Sequence, residues 1–186
     1  PSSNVKVVLA DFFLIKPGQE RLVGYRVKTA EGEREVKAVF KDFDAVVGNP
    51  PYTRWTEVPG ETQDEILKTY RKTLSKYGLT PRVERGVEPG IYVYWIIHAT
   101  GFLKEGGRLG MIISDSWLQA DYGAGFFRFL LDHYKVHAVI DISARVFPVP
   151  LVGACIVLLE KSSNAAERKS NPVAFIYLDL TKGKLE

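Results

Sequence analysis

The pattern of apolar and polar positions alternates between two periods along this chain. Val5-Lys6-Val7-Val8-Leu9 is short, valine-rich and bounded by polar residues, which reads as a strand. Lys16-Pro17-Gly18 is a turn signal. Residues 21–40 suit a hairpin, with Val23, Tyr25 and Val27 alternating on one arm and Val36, Ala38 and Phe40 on the other. Phe43-Asp44-Ala45-Val46-Val47 predicts a buried strand that must stop at Pro50-Pro51. Thr62-Gln63-Asp64-Glu65 resembles a capping box. Ile66, Leu67, Tyr70, Leu74 and Tyr77 then recur at helical spacing, and Gly78 is a stop. A largely buried helix is expected over Ile91 to Leu103, closed by Gly106-Gly107, then a third strand over Arg108 to Ile113. An amphipathic helix follows over 122–134, a fourth strand over Val136 to Asp141, and a fifth over Ala154 to Glu160. Residues 161–172 read as a polar linker before a last strand, Val173 to Leu178.

Strands alternating with helices predict an α/β domain with a mainly parallel sheet. The loop between the fourth and fifth strands holds no crossover helix, so that pair is expected to be antiparallel, at the end of the sheet.

Composition narrows the class. The chain has 186 residues, 46% hydrophobic and 25% charged, as in globular domains with a substantial core. The longest apolar run, Leu151 to Leu159, is well short of the roughly 20 residues that span a membrane. Cys155 stands alone, which excludes an internal disulfide and a cysteine-based zinc site. The three histidines are scattered, and no metal site is expected. A net charge of +3 permits a local nucleic-acid patch without arguing for one.

The chemistry concentrates in Asn49-Pro50-Pro51-Tyr52, at the C-terminal end of an apolar strand. In open α/β sheets that edge is where ligands bind. The bland reading is a proline-rich turn with Asn49 capping its own backbone. The chemical reading concerns an exocyclic amino group, whose lone pair is delocalised into its ring. Two acceptors below the ring plane, the Asn49 side-chain carbonyl and the Pro50 backbone carbonyl, would draw that nitrogen toward a tetrahedral geometry suited to attack on a methyl group. Tyr52 offers a flat face for stacking a base, worth about 1–3 kcal/mol.

With these residues the chain resembles the catalytic domain of an N6-adenine-specific DNA methyltransferase of a restriction–modification system. The resemblance covers Ala10-Asp11-Phe12-Phe13, the Asp44 to Tyr52 segment, Tyr92 to Ile113, and Val146-Phe147-Pro148 before Ala154-Cys155-Ile156-Val157. It implies a Rossmann-like sheet, S-adenosylmethionine as cofactor, and an adenine flipped out of double-stranded DNA. It implies that Asp11 accepts from the cofactor's adenine amino group, that Phe12 and Trp95 lie near that ring, and that Phe147 joins Tyr52 on the target base. It also implies a cytoplasmic enzyme, partnered by the remaining parts of a parent chain or by specificity and restriction subunits. Phe12 and Trp95 equally suit core positions, and Phe147 a structural one. His98 reads as a helix-packing residue, and Asp115 and Trp117 as structural. Lys68, Arg71, Lys72 and Lys76 read as a solvated face.

The chain also departs from that family. The glycine-rich cofactor loop should precede Asp11, yet none of the first ten residues is glycine. Gly123-Ala124-Gly125 follows no strand, and Gly106-Gly107 ends a helix in this reading. Residues 1–160 are therefore expected to form a partial catalytic domain, with 16–41 as a hairpin insertion. Residues 161–186 would be a linker and last strand leading toward a DNA-specificity region outside the sequence. Val5 to Leu9 is expected to lack its normal sheet neighbours and so to leave an exposed sheet edge. Two other functions stay open: methyl transfer to protein glutamine or ribosomal RNA, and a non-catalytic nucleic-acid-binding or assembly fragment.

Overall fold

The computed structural model describes residues 9–29, 32–85, 87–142 and 153–179. A two-stranded antiparallel hairpin comes first, β1 (Glu20–Thr29) and β2 (Gly32–Val39). The main body follows as β3 (Phe43–Gly48), α1 (Gly60–Tyr77), α2 (Ile91–Ala99), β4 (Leu103–Ser114), α3 (Tyr122–His133), β5 (Tyr134–Ile142), β6 (Ala154–Lys161), α4 (Ala165–Ser170) and β7 (Ala174–Leu178). Its five-stranded sheet has the order β3-β4-β6-β5-β7. β3 and β4 are parallel, as are β5 and β7, while β6 runs against both its neighbours. The sheet is thus mainly parallel. The antiparallel β5–β6 pair lies toward one end, with β7 added beyond it.

Burial is one-sided. On β4 the odd-numbered Leu109, Met111 and Ile113 are buried, and on β6 Cys155, Val157 and Leu159. They share one cluster with Ile66 and Leu74 of α1, Val93, Tyr94 and Ile96 of α2, and Phe126 and Leu130 of α3. The other face carries Ala45, Val47, Arg108, Gly110, His137 and Leu158 around an open groove. A one-residue slip of β4 would exchange these two sets, so burial fixes the register. That register pairs Gly48 with Met111 and brings the end of β3 beside the end of β4.

Several boundaries differ from the sequence expectation, each for a local reason. Thr62 is not a cap: α1 begins at Gly60 after Pro59, and Thr62 lies buried within its first turns. α2 ends at Ala99, and β4 starts at Leu103 instead of Arg108. Gly106-Gly107 does not close a helix but forms a bulge within β4, where the pairing shifts between Phe43 and Ala45. Gly106 has φ +73°, and a Cβ at Gly107 would lie 2.8 Å from the Phe43 carbonyl oxygen. β3 is a largely exposed edge, with Val47 80% exposed, where a buried strand was expected. Residues 165–170 of the linker form α4, capped by the Asn164 side chain. Val5 to Val8 lie outside the described residues, and Leu9 is exposed and outside any strand. The Gly78 stop is borne out: it adopts φ +67°, and the Leu79 N–H donates to the Leu74 carbonyl at 2.8 Å.

The glycines of Gly123-Ala124-Gly125 are packing residues. A Cβ on Gly123 would collide with the Trp117 carbonyl, and one on Gly125 with the Tyr77 carbonyl. Gly125 lets α3 settle onto the end of α1, and Gly123 lets it settle onto the turn that holds Trp117. Gly125→Ala should therefore destabilise the protein by about 1–3 kcal/mol, the usual range for overpacking. Chemical denaturation measures this. Unchanged stability would contradict the close approach of α3 to Tyr77.

Candidate active site

The Asn49-Pro50-Pro51-Tyr52 segment leaves β3 at Gly48 and crosses the C-terminal edge of the sheet. Asn49 and Pro51 are exposed, Pro50 is buried and Tyr52 half-buried. The Ile91 N–H donates to the Thr53 carbonyl at 3.3 Å, which ties the segment to the start of α2. A cavity opens on each side of it.

The first cavity, about 270 Å³, is lined by Asp11, Phe12, Pro51, Thr53, Thr62 and Trp95, among others. Asp11 ends the preceding chain and caps a short 3-10 turn, Phe12–Leu14. Its Oδ1 accepts from the Phe13 N–H at 2.9 Å and its Oδ2 from the Thr62 hydroxyl at 2.6 Å. The carboxylate is thus aimed by its own turn and by α1, and its remaining lone pairs can accept from a ligand. Phe12 stacks on Trp95 with centroids 4.3 Å apart and on Phe102 at 5.5 Å. Both are part-buried against the core, so the packing role and the cavity-lining role coexist.

The second cavity, about 360 Å³, is lined by Tyr52, Thr53, Arg54, Glu88, Tyr92, Ser114, Ser116 and Tyr122, among others. Its floor is a set of linked hydroxyls. Tyr92 Oη lies 2.8 Å from Tyr122 Oη and 3.1 Å from Ser116 Oγ, and the Ser114 hydroxyl donates to Ser116 at 3.0 Å. Burial pushes the Tyr52 phenol above its ordinary value, with a smaller effect from nearby Cys155. Burial raises Asp115 as well, helped by Asp141, and pushes the Cys155 thiol up to about 12. Cys155 is therefore a protonated core residue, bonded by the Trp117 indole N–H.

The structure brings Asp11, Phe12, Pro51 and Trp95 together around the first cavity and puts Tyr52 on the second. Phe147 lies outside the described residues. Of the basic residues on α1, Lys76 pairs with Asp132. Sequence reasoning missed Thr62, although a signal was present. Thr62, Ile66, Tyr70 and Leu74 share one stripe of α1, and a polar residue on an apolar stripe needs a buried partner. It also missed the hydroxyl cluster, which joins residues from α2, β4 and α3 that no local spacing connects. Among the described residues no cluster of side chains could hold a metal ion, and no helix is long and apolar enough to cross a membrane.

The fold resembles that of solved S-adenosylmethionine-dependent methyltransferases. A class I methyltransferase of that kind from Listeria monocytogenes superposes with a TM-score of 0.55 at 16% identity, over 74% of this chain and 37% of that one. The methyltransferase subunit of a type I restriction–modification system from Streptococcus thermophilus gives 0.53 at 20% identity, over 74% and 26%. The chain itself belongs to the Eco57I restriction-modification methylase family, whose model matches residues 14–147. It is 38% identical over 100 residues to the type II methyltransferase M.BstVI of Geobacillus stearothermophilus, covering 54% of this chain and 16% of that protein. It is 27% identical over 140 residues to M.PaeR7I of Pseudomonas aeruginosa, covering 75% and 20%. The chain thus spans about a fifth or less of the length of these relatives.

Burial holds the His98 and His133 imidazoles below the ordinary 6.5, and for His98 bonds to two carbonyls partly oppose it. Near pH 6.5 the unfolded chain takes up protons that the folded chain refuses. Their contribution to stability is therefore intact above that pH and declines as the pH falls below it, levelling off once the folded-state values are passed. NMR titration should give midpoints below 6.5 for both rings. A midpoint at or above 6.5 for His98 would contradict its burial as a neutral ring.

Proposed function

We propose that this chain is the catalytic portion of a restriction–modification DNA methyltransferase that moves a methyl group from S-adenosylmethionine to the N6 amino group of a flipped adenine. The observation that carries the reading is the Asn49–Tyr52 segment standing between two cavities. Pro51 lines one and Tyr52 the other, with Thr53 on both. A methyl donor on the first side and a base on the second would meet across it.

The first cavity fits the adenine end of the cofactor. Asp11 supplies a charged acceptor for an exocyclic amino group, and Phe12 and Trp95 supply apolar walls beside the ring. No glycine-rich loop follows a strand among the described residues, so nothing here fits the methionine end. When bound, S-adenosylmethionine supplies an electrophilic methyl group. The residues of this chain then have separate tasks. The Asn49 side-chain carbonyl and the Pro50 backbone carbonyl accept from the target amino group and localise its lone pair. Tyr52 stacks on the base, and the family resemblance assigns Phe147 as a second aromatic to it. Once the methyl is attached, the amino proton is acidic enough to leave to water, so no histidine or carboxylate base is required. Double-stranded DNA is the substrate, and the remaining sequence of the larger enzyme, or separate specificity and restriction subunits, would choose the site.

The test is methyl transfer from labelled S-adenosylmethionine to duplex DNA by the protein that carries this sequence. Label should enter adenine, and Asn49→Ala should lower the rate at least ~100-fold, as for loss of one such polar contact. Label in cytosine, in ribosomal RNA or in protein instead would contradict the reading, as would an active Asn49→Ala variant.

A second outcome concerns Thr62. Thr62→Val keeps the shape and removes the hydroxyl that aims Asp11. It should weaken S-adenosylmethionine binding by about tenfold, the equivalent of roughly one hydrogen bond to a charged group. Calorimetric titration checks it, and unchanged affinity would contradict the role of Thr62 in aiming Asp11 at the cofactor.

A further inference from the structure

The turn that presents Asp11 and Phe12 has no sheet partner of its own among the described residues, yet it lines a cavity whose geometry depends on it. Two helices hold it. From α1, Thr62 bonds Asp11, and Glu65 pairs with Lys16, whose ammonium also reaches Thr69 at 3.3 Å. Residues 62, 65 and 69 lie on one face of a helix, so α1 presents a polar stripe to this segment.

From α2, Trp95 stacks on Phe12, and His98, only 1% exposed, reaches the backbone of the turn. Its Nε2 lies 2.9 Å from the Phe12 carbonyl oxygen and 2.9 Å from that of Ile15. Carbonyl oxygens can only accept, so Nε2 carries the proton and bridges both ends of the turn. In the neutral ring Nδ1 is then an acceptor, and it takes the hydroxyl proton of Tyr70 from α1. The imidazole also meets the Phe12 ring edge-on, with centroids 4.5 Å apart. One buried ring therefore contacts the backbone of the turn, the Phe12 ring and Tyr70 of α1 together.

We propose that His98 is a positioning residue: through its bridge between the Phe12 and Ile15 carbonyls it holds the Asp11–Ile15 turn in the form that presents the Asp11 carboxylate and the Phe12 ring to the cofactor cavity. This rests on reading that cavity as the cofactor's. A helix-packing residue would need only the ring. A positioning residue needs the Nε2 proton, and the two are separated by substitution. His98→Phe keeps a planar ring and removes both nitrogens. His98→Gln places an amide N–H near the Nε2 position.

The experiment has a ligand-free arm and a ligand arm. In the ligand-free protein, amide hydrogen exchange at Leu14 and Ile15, which donate to the Asp11 and Phe12 carbonyls, should quicken about tenfold or more in His98→Phe. Amides in β4 should keep their protection, and His98→Gln should restore most of the loss. In the ligand arm, S-adenosylhomocysteine affinity should fall about tenfold in His98→Phe and recover in His98→Gln. The maximal methylation rate at saturating cofactor should stay within about twofold of the original. Tyr134→Phe, which removes a buried hydroxyl bonded to Thr100, controls for general loss of stability and should leave the affinity unchanged. Unaltered exchange at Leu14 and Ile15 in a folded His98→Phe would overturn the assignment. So would equal weakening of binding by Tyr134→Phe, or no recovery in His98→Gln. Failure of the unaltered protein to bind S-adenosylhomocysteine would overturn the cofactor reading instead, and the exchange arm would still decide whether His98 holds the turn.

Discussion

One-sided burial of the sheet is the constraint from which the site follows. Leu109, Met111 and Ile113 on β4, with Cys155, Val157 and Leu159 on β6, face the helices, and any slip by one residue would turn them outward. Fully burying each such side chain is worth roughly 1.5–3 kcal/mol, so the register is strongly held. With the register set, Gly48 stands beside Met111. Pro50 and Pro51 forbid β3 from going on. The chain must leave at the C-terminal edge of the sheet, where the Ile91 N–H at the start of α2 ties it down at Thr53.

The two cavities flanking that segment differ in how they are built. The first is assembled around a short turn clamped by side chains, and its polar side chains are few: a carboxylate held on both oxygens and two threonines, beside aromatic rings. The second is walled by hydroxyls that satisfy one another. Three of them, on Tyr92, Ser116 and Tyr122, lie within hydrogen-bond distance of each other. Such a closed set keeps these oxygens paired with one another. The second cavity also carries Arg54 and Glu88 on its lining, whereas Asp11 is, among the described residues, the one ionisable side chain lining the first.

Much of this was legible in the sequence because it is written locally. The Asn49–Tyr52 motif, the Gly78 stop, the hairpin and the antiparallel β5–β6 pair all follow from short-range pattern or from loop length. What was not legible depends on partners distant in the chain. Thr62 looked like a cap because Glu65 stands three residues later, but Glu65 pairs with Lys16 and Thr62 with Asp11. Gly106-Gly107 looked like a helix stop, though its smallness serves the Phe43 carbonyl across the sheet. β3 read as buried because its valines suit a central strand. It is exposed because the described residues supply no strand beyond it and no helix over its outer face, a surface suited to other parts of a larger fold.

The central claim is that the Asn49–Tyr52 segment divides a cofactor cavity from a base cavity. A crystal structure with bound S-adenosylhomocysteine tests it most directly. The account predicts the adenine ring beside Asp11, Phe12 and Trp95, with the sulfur directed toward Pro51. An adenine ring seated instead among Tyr52, Tyr92 and Ser116, or on the open face of the sheet at Val47 and Leu158, would contradict it.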